Sequence, residues 1–246
     1  MSNNYYQFEA GRVAAIEASC QGDYIFPPLL EALSEPNGLI AIGGDLSAAR
    51  LLSAYRQGIF PWFNHDPILG DEPVMWWSPN PRMVLYPDEL KISKSLVKTL
   101  KTYHQNSAFE TRINTAFQAV ITACSNTLRL DKNGEHFGTW ISPEMISAYC
   151  QLHDLGYAIS AETWLNGELV GGCYGVKIGR MFYGESMFHT QTNASKIAFV
   201  HLVEWLKNQQ VGMIDCQMKT PLLASFGGRE ISRDDFIQTL SKLVNS

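Results

Sequence analysis

The sequence predicts an α+β fold, and three observations carry that prediction. Helical and strand-like runs are segregated along most of the chain rather than alternating, which argues against a doubly wound sheet. Two strand-like runs, YAISAETWL and ELVGGCYGV, are joined by Asn166-Gly167, the dipeptide that most favours a two-residue hairpin. After a third strand-like run comes a helical pattern and then one more short strand, so a crossover closes the series.

Each element has its own signal. The first 25 or so residues read as a poorly constrained extension, and Phe26-Pro27-Pro28 opens ordered structure. Glu35-Pro36-Asn37-Gly38 is a turn before the strand LIAIGG. Asp45 or Ser47 then caps the helix LSAARLLSAYRQ, which Gly58 terminates. GIFPWF and a loop rich in Pro, Asp, Trp and Gly follow, up to Pro81. This loop is the expected junction between a small N-terminal domain, residues 1–80, and a larger one, residues 81–246.

Ser93 opens the helix SKSLVKTLKTY, and a second helix follows from Asn114. A polar loop from Ser125 ends in GTWIS. There Ser142 caps and Pro143 begins a third helix, closed by Gly156. The hairpin and a turn at Gly179 lead into RMFYGESMFHTQTNASK, a strand running through a loop into a helix that Asn193 is expected to cap with its side-chain oxygen. The strand MIDCQM comes next, and alternation puts Asp215 and Gln217 on one face with Cys216 on the other. A helix capped by Ser232 ends the chain.

With 46% hydrophobic and 17% charged residues, 246 residues suffice for a substantial core. No apolar run approaches the ~20 residues of a membrane span, and no export signal opens the chain. Five scattered cysteines, odd in number and never in CxxC, imply reduced thiols, a cytoplasmic setting and no zinc site. A net charge of −5 argues against a DNA-coating protein, although it leaves room for a local basic patch. There is no Walker loop, no GxGxxG, no GxSxG and no metal-ligand spacing.

Three constellations can carry chemistry. Glu185 stands inside an apolar strand, and Asp215 and Gln217 stand on the next one; carboxylates in such surroundings are either paired for structure or used. Trp62 and Trp140 lie at loop edges beside Pro or near Gly, placed to close a pocket or stack on a base, whereas core packing accounts for most of the other tryptophans. Lys91, Lys94, Lys98 and Lys101 recur at helical spacing opposite Ile92, Leu96, Val97 and Leu100, forming either a solvated face or a phosphate-binding one.

Taken together, EPNGLIAIGGDLSAARLLSAYRQGIFPWF, WWSPNPR, GTWIS, YGESMF, NASK and IDCQ, in this order, resemble the leucyl/phenylalanyl-tRNA–protein transferase family, over about Phe26 to Phe236. The resemblance implies an acetyltransferase-like (GNAT) fold for the larger domain. It implies transfer of Leu or Phe, less readily Met, from aminoacyl-tRNA to an N-terminal Arg or Lys of an acceptor protein, creating a degradation signal. It implies no metal and no coenzyme, because the tRNA ester is already activated. By the same resemblance Gln217 orients the attacking amine and Asp215 receives hydrogen bonds or the proton. Glu185, Trp62 and Trp140 meet the terminal aminoacyl-adenosine. Cys173, Met187, Phe199 and Leu202 line the aminoacyl side-chain pocket, and Lys94, Lys98 and Lys101 face the tRNA body.

The match is not complete. Leu222 stands where family members often carry His, and the stretch LGDEPVM before Trp76 and the loop before GTWIS are expanded. Two rival functions are an acyl-CoA N-acetyltransferase and a non-catalytic tRNA-binding module. Against the first, HTQTNASK has no glycine where a coenzyme A pyrophosphate loop needs backbone approach.

Overall fold

The structure is a computed structural model describing residues 5–9, 11–17, 24–62, 73–127, 129–130, 136–137 and 141–245. In chain order the elements are β1 (Tyr5–Phe8), β2 (Gly11–Ile16), β3 (Leu39–Gly43), α1 (Ala48–Arg56), β4 (Phe60–Trp62), β5 (Met75–Trp77), β6 (Arg82–Leu85), α2 (Lys94–Gln105), β7 (Phe109–Ile113) and α3 (Phe117–Ser125). There follow β8 (Arg129–Leu130), β9 (His136–Phe137), α4 (Pro143–Asp154), β10 (Ala158–Leu165), β11 (Glu168–Ile178), β12 (Met181–His189), α5 (Ala194–Asn208), β13 (Met213–Gln217), α6 (Pro221–Ser225), β14 (Arg229–Ile231) and α7 (Arg233–Leu243).

Two compact units divide the chain. One comprises Met1–Arg82, Leu128–Ala148 and Ile231–Ser241; the other comprises Met83–Thr127, Tyr149–Glu230 and Lys242–Ser246. The expected break at residue 80 lies near one crossing point, but the chain returns to the first unit twice more. No local signal announces such a return.

The first unit is built on a five-stranded sheet of order β1-β2-β3-β5-β4. Residues 5–8 and 11–16, expected to belong to an unconstrained extension, pair antiparallel as its outer two strands, and β2 runs parallel to β3. The reason is burial: Val13 packs with Leu33, Leu39 and Ile42 beneath Met75 and Trp77. Of the two candidate caps, Ser47 caps α1 by accepting from Arg50 N. Asp45 instead accepts from Ser47 N at 2.8 Å and from the buried Arg50 guanidinium at 3.2 Å. Gly58 ends the helix at φ +77°, where a Cβ would also lie 2.9 Å from the Phe236 ring.

The second unit is framed by a seven-stranded sheet of order β14-β6-β13-β12-β11-β10-β7. The meander β10–β11–β12 is antiparallel, with Asn166 and Gly167 both at positive φ in its first turn. Crossover helix α5 then delivers β13 parallel to β12. Ile197, Phe199, Val200, Leu202, Val203 and Leu206 of α5 bury one face of this sheet against Ile159, Cys173, Phe182 and Ile214. The other face is covered by α3 and the end of α4, where Tyr174 meets Phe117 and Tyr149 edge-on, each at 5.7 Å. Glu162, fully buried on β10, takes hydrogen bonds from the backbone N–H of Thr115 and Ala116 and from the Thr115 and Ser160 hydroxyls, so it holds the turn that leads into α3.

The pairing of β12 with β13 covers only Met181–Tyr183 against Met213–Asp215, although β12 runs on to His189. An antiparallel meander, a crossover helix and a short parallel pair thus follow one another in the order the sequence predicts. Strands β6, β7 and β14 extend the sheet beyond what the sequence predicts, because each is short and its partner is distant.

Asn193 requires a correction. It occupies the cap position of α5, but with φ +68° and no side-chain capping bond; only its carbonyl serves the helix, accepting from Ile197 N at 3.0 Å. The left-handed backbone needed to turn from the loop into α5 aims the amide away from the first turn. Among the described residues Cys124, Cys150, Cys173 and Cys216 are free thiols, and no helix is long and apolar enough to cross a membrane.

Candidate active site

The site begins with a defect in the meander. Along β11 and β12, Tyr174 pairs with Ser186 but Gly175 pairs with Gly184, so the register shifts by one residue at Glu185. A β-bulge of this kind turns one side chain out of alternation. Gly175 is required opposite it, since a Cβ there would lie 2.1 Å from the Tyr183 carbonyl oxygen. The Glu185 carboxylate is half-buried. Its Oε2 accepts from the Tyr149 hydroxyl at 3.1 Å and its Oε1 from the Gln217 side-chain amide at 3.2 Å.

Gln217 ends β13 with φ +62°, beside a register shift between Asp215 and Gln217 in the pairing with β6. Strict alternation, on which the expected common face of these two residues rested, therefore fails at Gln217. The two are joined differently: Gln217 N donates to Asp215 Oδ1 at 2.8 Å. A left-handed non-glycine residue costs on the order of 1–3 kcal/mol and persists where its surroundings hold it, often at sites of function. Here the fully buried Asp215 holds the backbone and Glu185 holds the side chain. Cys216 faces the α5 core, as alternation predicts.

Tyr149, Glu185, Gln217 and Asp215 thus form one hydrogen-bonded series. Sequence reasoning missed Tyr149, which sits inside an ordinary helical pattern. The amide orientation of Gln217 follows from chemistry. A carboxylate only accepts, so Nε2 faces Glu185 and Oε1 is left to accept from a further N–H.

Cys173, Phe199 and Leu202 are buried in one apolar cluster, with Met187 packed against it. Cys173 and Met187 are cross-strand partners, and the other two project from α5. Burial pushes the Cys173 thiol far above its ordinary range, so it lines the cluster as a neutral apolar group. Leu222, at the position where the resemblance leads one to expect His, packs against the same cluster from α6.

Lys94, Lys98 and Lys101 are exposed along α2, and none forms an ion pair among the described residues. Leu96 is buried on the opposite face, whereas Val97 is 38% exposed and belongs to the rim rather than the apolar side. Trp62 lies in the first unit at the end of β4, with its ring edge-on to Trp77 at 6.2 Å. Trp140 lies outside the described residues. Among those residues no cluster of three or more His, Cys, Asp or Glu is arranged to hold a metal ion.

The sheet opens beside a bulge at which a carboxylate, an amide and a second carboxylate are joined by hydrogen bonds. Residues 84–241 match the family described as leucyl/phenylalanyl-tRNA protein transferase, and residues 44–80 match its N-terminal domain. The chain belongs to the leucyl/phenylalanyl-tRNA–protein transferase family and is an aminoacyltransferase. It is 56% identical over 220 residues to the leucyl/phenylalanyl-tRNA–protein transferase of Chromobacterium violaceum, covering 89% of this chain and 88% of the relative. It is likewise 56% identical over 223 residues to that of Nitrosospira multiformis, covering 91% and 90%. Among solved structures, L-PGS from Bacillus licheniformis aligns with a TM-score of 0.41 at 12% identity, over 88% of this chain and 76% of that one.

Proposed function

We propose that the enzyme moves Leu or Phe, less readily Met, from aminoacyl-tRNA to the N-terminal Arg or Lys of acceptor proteins, thereby marking them for degradation. The observation that carries the mechanism is the Glu185–Gln217–Asp215 series, in which the side-chain carbonyl of Gln217 is oriented by the hydrogen bond that its Nε2–H donates to Glu185. That carbonyl accepts an N–H of the acceptor's neutral α-amine and aims its lone pair at the ester carbonyl. Attack forms the C–N bond and a tetrahedral intermediate. The nitrogen then sheds a proton toward the Asp215–Gln217 pair, and the ribose oxygen leaves with a proton. Positioning of this kind contributes up to roughly 7–11 kcal/mol in the best intramolecular models. No metal or coenzyme is required by these steps.

Glu185, with Trp62 and Trp140, serves the terminal adenosine. The cluster around Cys173, Met187, Phe199 and Leu202 takes the aminoacyl side chain and rejects β-branched ones by shape. One methylene alone discriminates by only about 1–3 kcal/mol. Lys94, Lys98 and Lys101 meet the tRNA body through phosphate contacts, which explains how a chain of net charge −5 binds RNA.

The test follows labelled leucine from Leu-tRNA onto a peptide beginning with Arg, with wild type and Asp215→Ala. Transfer by the wild type that the variant loses while still binding tRNA is the expected result. An inactive wild type that binds tRNA would favour a binding module instead, and retention of acetyl-CoA would favour the acetyltransferase.

A further inference from the structure

The sheet of the second unit comes apart in its middle. Strand β12 is the fourth of seven, between β13 and β11, yet Gly184, Glu185, Ser186 and Met187 are all half-exposed. The pairing with β13 ends where Tyr183 meets Asp215. At Gln217, with φ +62°, β13 leaves the sheet, and Met218 beyond it is 43% exposed. Beside the second half of β12 there is thus a strand position that no described strand fills.

The hydrogen-bonding pattern tells which groups face that position. Along an antiparallel pair, residues that exchange hydrogen bonds alternate with residues that turn their N–H and C=O outward. Thr190 N donates to Val170 O at 2.9 Å, one step past the pair of Gly171 with His189. That pair and the pair of Cys173 with Met187 are therefore the ones without mutual hydrogen bonds. Met187 and His189 turn their backbone groups away from β11, toward the line that β13 leaves. Among the described residues no backbone or side-chain group bonds them. Such a row of outward N–H and C=O groups is a template for an extended chain, and strand addition is a general way of binding peptides. The row starts beside Glu185, which holds the Gln217 amide at 3.2 Å.

We infer that the acceptor polypeptide binds here as an added strand, its first residues taking the line of β13 beyond Gln217 and running parallel to β12. The inference rests on the proposed function, which puts the acceptor's α-amine at the Gln217 side-chain carbonyl. That starting point fixes the register, because in a parallel ladder one residue bonds the two residues that flank its partner. The first acceptor residue lies beside Glu185, and its C=O accepts from Met187 N–H. The third donates its N–H to the Met187 carbonyl and accepts from His189 N–H. The second turns its own N–H and C=O the other way. Beyond the first residue the acceptor is held by its main chain, so those positions are not selected by side chain.

The test uses the wild-type protein, Leu-tRNA and three peptides that begin Arg-Ala-Ala-Ala and are unmethylated, N-methylated at the second residue, or N-methylated at the third. Initial rates of labelled-leucine transfer against peptide concentration give kcat and KM for each. Methylation at the third residue removes one hydrogen bond and is expected to raise KM for the peptide about threefold to tenfold, while methylation at the second changes it less than about twofold. Equal effects at both positions would mean crowding, and no effect at the third would mean that these backbone groups serve the aminoacyl ester or solvent. Either result overturns the inference and leaves the proposed function standing. If the unmethylated peptide receives no leucine, the proposed function fails and the inference falls with it. His189→Pro, which deletes the second donor, places the contact on β12: KM for the unmethylated peptide should rise by a similar factor. An unchanged KM in a variant of unchanged thermal midpoint overturns the inference as well, and should that variant not fold, the peptides decide alone.

Discussion

Gln217 donates its side-chain amide to Glu185 across 3.2 Å, tying the end of one strand to a bulge in its neighbour where the two strands have ceased to pair. The bond fixes the orientation of the amide as well as its position. Gln217→Glu sets a second carboxylate against Glu185 and replaces that donor by an acceptor. Transfer is expected to fall by about 10²–10⁴, the usual range for groups that position or move a proton. The loss should lie in kcat rather than in KM for tRNA. Single-turnover rates on saturating Leu-tRNA check this, and an effect confined to KM would reassign Gln217 to substrate binding.

Tyr149 supports Glu185 from α4 through its hydroxyl. Tyr149→Phe keeps the ring against Tyr174 and removes one hydrogen bond, worth about 0.5–1.5 kcal/mol or somewhat more to a charged acceptor. A rise in KM for Leu-tRNA of roughly threefold to tenfold is expected, with the urea midpoint nearly unchanged. If the midpoint drops and KM does not move, the tyrosine holds the fold and not the site.

The tRNA role of α2 is checked by salt. Lys94→Ala/Lys98→Ala/Lys101→Ala removes up to three phosphate contacts, so the slope of log affinity against log salt should become shallower by roughly two to three. These side chains are exposed and unpaired among the described residues, and stability should hardly change. An unaltered slope would leave the stripe as a solvated face.

Glu162 has no place in the chemistry, yet its replacement is expected to be the most destabilising of these changes. It is fully buried and accepts from two backbone N–H groups in the turn just before α3 and from two hydroxyls. Glu162→Leu leaves those donors without a partner, at about 1–3 kcal/mol for each one stranded. Thermal unfolding should shift down by several degrees or more. A shift of a degree or less would mean that water enters and satisfies them.

Asp45 gives the first unit a dependence on acid. Partial burial pushes its carboxyl up, but hydrogen bonds from Ser47 and the Arg50 guanidinium outweigh this and hold it below the ordinary value of 3.8. A folded-state value below the unfolded one means that the unfolded chain binds the proton first. The contribution is therefore complete above about pH 4 and is lost as pH falls through the lower, folded value. Asp45→Asn should flatten stability against pH in that window. An identical acid limb in both proteins would exclude this residue as its source.

Legibility in the sequence followed the range of the interaction. The hairpin at Asn166-Gly167 and the caps Ser47, Ser93 and Ser142 are matters of a few consecutive residues, and the structure has each of them. Strands β2 and β7 are held by partners elsewhere in the chain, β3 and β10, and β1 only by β2, so nothing within them separates a short strand from an extension or a loop. Asn193 shows the same limit within one residue, since its type suits a cap but the incoming chain sets its backbone to the left-handed region. For the site, an acid in an apolar strand marked Glu185, whereas Tyr149 lies 36 positions away and carries no local sign.

By itself the sequence determined which of the longer segments are helical, though not the short α6, where the meander turns, and that Glu185, Asp215 and Gln217 stand out, because backbone preference and burial period act over a few residues. Tertiary structure alone decided that Glu185 leaves its strand at a bulge and that Gln217 adopts a left-handed backbone to reach it. Each of these depends on strand register and on side chains meeting across the sheet, which are settled only when the whole unit packs.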